Sequence, residues 1–165
     1  MAESNEDNLK GVTVLATAIA GSPPHKGHVA LPLLIMGLIY WLSSLPGTPL
    51  PNDPAVYALF YWLSPTIQNI LHVPAFASLT WAWCWALAGW LNGARVRAIS
   101  AAGVAFGYGV LDEWHQSFVP GRHASLADVL LDSAGVVIGI GVAAWAARCA
   151  GSVPAAEGGA RTRLP

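Results

Sequence analysis

The sequence predicts an all-α fold, a polytopic membrane protein built as a bundle of four transmembrane helices with both termini in the cytoplasm. Three observations lead there. First, 55% of the 165 residues are hydrophobic and 10% are charged, against roughly a quarter charged in an ordinary soluble domain. Second, four apolar segments, at about 29–45, 67–91, 98–118 and 126–147, are each long enough to cross roughly 30 Å of hydrocarbon at about 1.5 Å per residue. Third, Lys10, Lys26, Arg95, Arg97, Arg148, Arg161 and Arg163 fall on one side of a four-span arrangement and Arg122 alone on the other, and basic residues concentrate on the cytoplasmic side. A mean hydropathy of +0.50 with a formal charge of −1 is the reverse of a disordered composition.

Residues 1–28 read as a polar N-terminal arm. Glu3, Glu6 and Asp7 stand against Lys10, and the apolar stretch from Gly11 to Gly21 is too short to span. Ala18-Ile19-Ala20 imitates a signal-peptidase site, but the charge ahead of it is negative where a secretory leader is positive, so an interfacial arm ending at Pro23-Pro24 is expected instead. Residues 29–147 form the transmembrane domain. Its first span ends outward at Tyr40, Ser43 and Ser44, read as boundary residues. The connection from Pro46 to Pro65 contains Pro49, Pro51, Asp53 and Pro54 and neither lysine nor arginine, as an irregular outer loop should.

The second span carries His72, then Pro74, which frees a backbone carbonyl and is expected to kink the helix. Trp81, Trp83 and Trp85 lie deeper, where packing or lipid contact is their expected role. Gly103 with Gly107, and Gly135 with Gly139, have the spacing of close helix contacts, predicting that the third and fourth spans meet through these faces; the same pattern admits a homodimer. Cys84 and Cys149 read as small buried apolar residues. Residues 148–165 read as a flexible cytoplasmic tail. With no basic run or stripe, a nucleic-acid partner is not expected. No metal or cofactor is expected either.

The chemistry concentrates between Tyr108 and Asp132. An ionised carboxylate in a bilayer is costly, so such residues usually face a protein interior or wet cavity and carry function. Asp112 lies about 21 Å from the cytoplasmic start of the third span, in the outer third of the membrane, and His72 and Asp132 are expected at a similar height. Residues three or four apart share a helix face. Tyr108, Asp112, His115 and Gln116 therefore make one stripe, and Asp128 and Asp132 another. Glu113 is rotated about 100° from Asp112 and cannot share its centre; either carboxylate can instead pair with Arg122, which the turn Val119-Pro120-Gly121-Arg122 brings back over the helix end. His115 and His123 are expected near the outer surface, in water.

These residues resemble a known family. Asp112-Glu113, Gln116, Phe118, Pro120-Gly121-Arg122, Ser125, Asp128, Gly135 and Gly139 stand in the order and spacing of the VanZ-like membrane proteins; Ser43-Ser44-Leu45-Pro46 is similar to that family's serine-proline turn, and His72 with Phe76 to its histidine-to-aromatic element. The chain departs from it at Asn69, where many members carry lysine, at Phe76, where they carry tyrosine, and at Asp132, often asparagine. The resemblance implies a small multi-pass protein of the bacterial cytoplasmic (inner) membrane, in a family whose namesake is associated with low-level resistance to the glycopeptide teicoplanin.

Three functions remain open on the sequence. In the first, His72, Tyr108, Asp112, Glu113, Gln116, Arg122, Asp128 and Asp132 form an outward-facing site binding an envelope lipid, a lipid-linked envelope precursor or a glycopeptide. In the second, the protein is an enzyme on a lipid-linked substrate, with Asp112 or Glu113 as general base, His72 or His115 as acid and Arg122 on phosphate. In the third, the buried carboxylates serve a proton- or cation-coupled carrier.

Overall fold

The computed structural model describes residues 26–48 and 65–151. A short 3-10 turn, Lys26–Val29, leads into α1 (Ala30–Ser43); α2 (Pro65–Ala86) continues into a 3-10 turn at Leu87–Gly89; α3 (Ala94–Gln116) and α4 (Leu126–Gly151) complete the order. Every described element is helical, in line with the all-α expectation. The N-terminal arm before Lys26, most of the proline-rich connection and the tail after Gly151 lie outside the described residues.

Local sequence sets the ends of these helices. Pro32 sits in the first turn of α1 and Pro65 opens α2, positions where the missing N–H has no intrahelical partner to lose. α1 closes at Ser44, whose N–H bonds the Tyr40 carbonyl at 2.9 Å. Gly93, at φ 92°, turns the chain from α2 into α3. Val119-Pro120-Gly121-Arg122 closes with Arg122 N–H on Val119 O at 3.0 Å, and Gly121 takes φ 74°, the geometry of a type II turn with proline second and glycine third. Ser125 starts α4, its Oγ accepting the Ala127 N–H at 3.1 Å, as an N-cap serine does. α3 begins four residues ahead of the expected span, at Ala94, because Ala94, Arg95 and Arg97 are good helix formers and the arginines end the apolar run without ending the helix.

α2 is the central helix, packed against each of the others and most extensively against α4. It runs as a helix through Pro74, and the Ser78 hydroxyl donates to the Pro74 carbonyl at 2.8 Å. The core is Ile39 from α1, Phe76 and Leu79 from α2, Ala105 from α3 and Val136 from α4. The outside of the bundle is apolar too: Leu34, Ile70, Ile99, Leu111, Leu130 and Val137 are all more than half exposed. Among the described residues two stretches, Ile67–Gly89 and Leu126–Cys149, are long and apolar enough to cross a membrane. α1 is apolar but has 14 residues, about 21 Å of helix.

The glycine pattern is used differently from the sequence expectation. Gly135 and Gly139 face α2, not α3: a Cβ on Gly135 would lie 2.5 Å from Val73 O, and one on Gly139 2.5 Å from Ala77 O. Gly103 and Gly107 meet nothing within 4 Å. α3 approaches the pair instead through Gly109, where a Cβ would sit 2.9 Å from Asp132 Oδ2 and 3.3 Å from Phe76 Cε1. Spacing identified which residues permit close approach but not which neighbour takes advantage of it, and the central position of α2 decides that.

Gly135→Ala and Gly139→Ala should each destabilise the protein by about 1–3 kcal/mol, since backbone must move to admit the methyl. Gly103→Ala and Gly107→Ala should be neutral or mildly stabilising. Thermal unfolding in detergent, followed by loss of the monodisperse peak, separates the two pairs.

Candidate functional site

The polar site occupies the end of the bundle where α1 and α3 finish and α4 begins. The predicted stripe on α3 faces α1 along its length. Tyr108 donates to Met36 O at 2.6 Å, Ser43 Oγ donates to Asp112 Oδ2 at 2.8 Å, and Gln116 Nε2 donates to the same oxygen at 2.9 Å. Ser44 Oγ lies 3.0 Å from His115 Nε2, and Tyr40 packs on the His115 ring with centroids 4.6 Å apart. The two serines thus serve Asp112 and His115, one each, because consecutive residues of a helix end point about 100° apart. His115 is half-buried by these contacts, whereas His123 is exposed.

Glu113 points away from this ladder, as its rotation requires. Its Oε2 accepts the Ser125 N–H at 2.7 Å, placing a carboxylate at the N-terminus of α4, where the helix dipole is positive. Asp128, also buried, lies in the first turn of that helix. One turn further, Asp132 Oδ1 lies 2.8 Å from His72 Nδ1, joining α4 to α2. Asp132 is 1% and Asp112 2% exposed. One oxygen on each of Asp112, Glu113, Asp128 and Asp132 is buried without a hydrogen-bond partner, where interior polar groups are ordinarily paired.

Arg122 is fixed by backbone. Its Nε donates to Leu45 O at 3.2 Å and its terminal nitrogen to Leu42 O at 3.4 Å, so the guanidinium caps the C-terminus of α1, where carbonyls lack helical partners and cations are favoured. Neither Asp112 nor Glu113 forms an ion pair with it; the only ion pair among the described residues is His72–Asp132. Burial pulls the Arg122 pKa below its ordinary value, opposed by the fields of Asp112, Asp128 and Glu113, and a guanidinium stays charged throughout. The turn that carries it docks on the segment after α1: Gly47 N–H bonds Pro120 O at 3.0 Å, and a Cβ on Gly47 would strike Gly121 O.

A cavity of about 120 Å³ opens between α1 and α2 beside this network, lined by Ser43, Gln68, His72 and Arg122 among Ile39, Leu42, Leu71, Ala75 and Phe76. His72 and Arg122 reach it directly. Asp132 stands behind His72, and Asp112 with Gln116 behind Ser43, while Glu113 and Asp128 sit at the start of α4 and Tyr108 bonds the middle of α1. Ser43, read from the sequence as a boundary residue of the first span, and Gln68, which that reading did not single out, are both wall residues. Gln68 is one helical turn before His72 and shares its face, which is the signal that would have found it. Among the described residues no three histidine, cysteine or acidic side chains are placed to hold a metal ion.

His72→Ala and Asp132→Ala should each cost about 3–5 kcal/mol, because either leaves a buried partner uncompensated. The double variant should cost no more than the worse single one. A double-mutant cycle on thermal stability in detergent reads this coupling directly.

A model of the VanZ/LLP1 family matches residues 28–147. No curated protein and no solved structure matches the chain. The matched stretch takes in α1, α2, α3, most of α4 and every residue of the polar network, and the chain belongs to the VanZ/LLP1 family.

Proposed function

We propose that this protein is a multi-pass protein of the bacterial cytoplasmic membrane that binds the polar head of an envelope lipid or glycopeptide in the cavity between α1 and α2, acting in envelope biology or resistance of the teicoplanin type. The observation that carries this reading is the composition of the cavity: Ser43, Gln68, His72 and Arg122 share it with five apolar side chains. An amphipathic ligand suits such a wall, its polar part meeting the hydrogen-bonding groups and its apolar part the remainder. The carboxylates support this from behind. Asp132 orients the His72 ring and Asp112 orients Ser43, much as outer partners hold ligating groups in other polar sites.

All four helices span the membrane in this arrangement, α1 with the help of its leading 3-10 turn, and the positive-inside balance places both termini in the cytoplasm. The cavity then opens at the outer side, where envelope precursors and glycopeptides are found. A reporter fused after Pro165 should be active only on the cytoplasmic side; an extracytoplasmic signal would reverse the orientation and with it the proposed ligand class.

A specific feature favours a second reading, catalysis. The His72 ring is bonded to Asp132 through Nδ1 and makes no further hydrogen bond among the described residues, the arrangement of an imidazole held in one orientation by a carboxylate for proton transfer. Arg122 in the same cavity would hold a phosphate oxygen. The base of this version is His72, with Asp132 as its positioning residue, rather than Asp112 or Glu113, which do not line the cavity.

Membrane abundance and teicoplanin susceptibility should be measured together in a susceptible host for wild type, Gln68→Ala, Leu71→Trp and His72→Gln. Binding predicts that Leu71→Trp, which fills the cavity, removes the phenotype at unchanged abundance and that Gln68→Ala weakens it. Catalysis predicts that His72→Gln abolishes it as completely as Leu71→Trp does, whereas binding predicts that the isosteric His72→Gln only weakens it. Wild-type susceptibility in all three variants at normal abundance would refute both readings.

A further inference from the structure

A second cavity, of about 180 Å³, lies among α2, α3 and α4. It is at the other end of the bundle: Arg97 on its wall is in the first turn of α3, about 22 Å along the helix from Asp112. Its space comes from seven alanines, two on α3, four on α4 and Ala88 in the 3-10 turn after α2, completed by Trp81, Trp85, Cys84, Ile140 and Arg97. Methyl side chains at so many positions leave a gap that larger residues would fill, and an apolar gap is stable only at the cost of lost contacts unless something occupies it.

The polar groups on this wall are unmatched in one sense only. Arg97 is half-buried, and its guanidinium, unlike that of Arg122, makes no hydrogen bond or ion pair among the described residues. The Trp85 indole N–H is buried without a partner, although its ring is well packed, stacked on His28 at 3.9 Å and 12° and on Trp81 at 6.3 Å and 7°. With the indole nitrogen buried, Arg97 is the one charged side chain on the cavity wall. No aspartate or glutamate lines the cavity.

We propose that this cavity binds one acyl chain of an anionic glycerophospholipid, with the phosphodiester held by Arg97. The alanine walls suit a polymethylene chain, and the charge at the rim suits the phosphate. A soluble anion would find the cation but no further polar partners around it, so both halves of the cavity are used only by an amphiphile. The basic residues of this end, Arg95, Arg97 and Arg148, provide the field that draws anionic lipid toward it. This site is separate from the polar network and its occupancy does not depend on the ligand proposed there.

The test uses the full chain in detergent, with phosphatidylglycerol and phosphatidylcholine offered in equal amounts and retained lipid counted by native mass spectrometry. Wild type should retain phosphatidylglycerol preferentially. Arg97→Gln should lower that retention roughly fivefold, the effect of about one basic residue on an anionic lipid, and Arg97→Lys should largely restore it. Arg95→Gln, an equal charge change at an exposed position off the cavity wall, should lower it by clearly less than Arg97→Gln does. In a Cys149→Ser background, alkylation of Cys84 by N-ethylmaleimide should slow as phosphatidylglycerol is added and not as inorganic phosphate is. If Arg97→Gln does not fold, Ala144→Leu, which fills the cavity, should lose the retained lipid in its place. Equal retention of the two lipids by wild type, equal losses from Arg95→Gln and Arg97→Gln, or Cys84 alkylation insensitive to phosphatidylglycerol would overturn the proposal.

Discussion

Four carboxylates buried in an apolar bundle impose the constraint on which the rest of this structure depends. A desolvated carboxylate needs donors around it, and the fold supplies them to Asp112, Glu113 and Asp132 from the elements that reach that end. α1 stops where its terminal serines reach Asp112 and His115. α2 contributes His72 to Asp132. α4 begins where its first N–H, on Ser125, meets Glu113. Hydrogen bonds across helices thereby fix both the axial register and the rotation of α1, α3 and α4, which the apolar contacts alone would leave loosely specified, since leucine on leucine tolerates sliding in a way that a 2.8 Å bond does not.

The second organising feature is the contact of α2 with α4. Gly135 and Gly139 let the α4 backbone approach the carbonyls of Val73 and Ala77, and Asp132, one turn before Gly135, is brought against His72 by the same approach. Packing and polar site are therefore one arrangement. Close glycine contact sets the distance between two helices, and that distance lets a short aspartate reach the histidine ring. Arg122 completes the set from outside by tying the α3–α4 turn to the carbonyl end of α1, so the part of the chain that closes the cavity is held by backbone acceptors rather than by the carboxylates below it.

This architecture divides the site into wall and support. Ser43, Gln68, His72 and Arg122 meet the cavity, and Asp112 and Asp132 hold two of them in place. The other end of the bundle is built by the opposite rule. Alanines replace bulky side chains, and the cation on the wall has no carboxylate beside it. The two ends of the bundle thus differ in chemistry: a cavity backed by hydrogen-bonded carboxylates at one, an alanine-lined cavity with Arg97 on its wall at the other.

Much of this was legible in the residues themselves. Hydropathy and the scarcity of charge determined that the described elements are helices with apolar outer faces, because apolar runs of this length bury their backbone most simply as helices. The 100° step of the helix determined that Asp112 and Glu113 serve different neighbours, and the order of motifs from Tyr108 to Gly139 determined the family. What only the tertiary structure decided is who meets whom. Ser43 read as a boundary residue because its value lies in a partner 69 positions away; Gly135 and Gly139 read as contacts for the third span because spacing marks a smooth face and not the neighbour that fills it. Arg122 was expected beside a carboxylate and is found on the carbonyls of α1. Periodicity is a property of one helix, whereas pairing across helices depends on rotation and register, which are set jointly by all four.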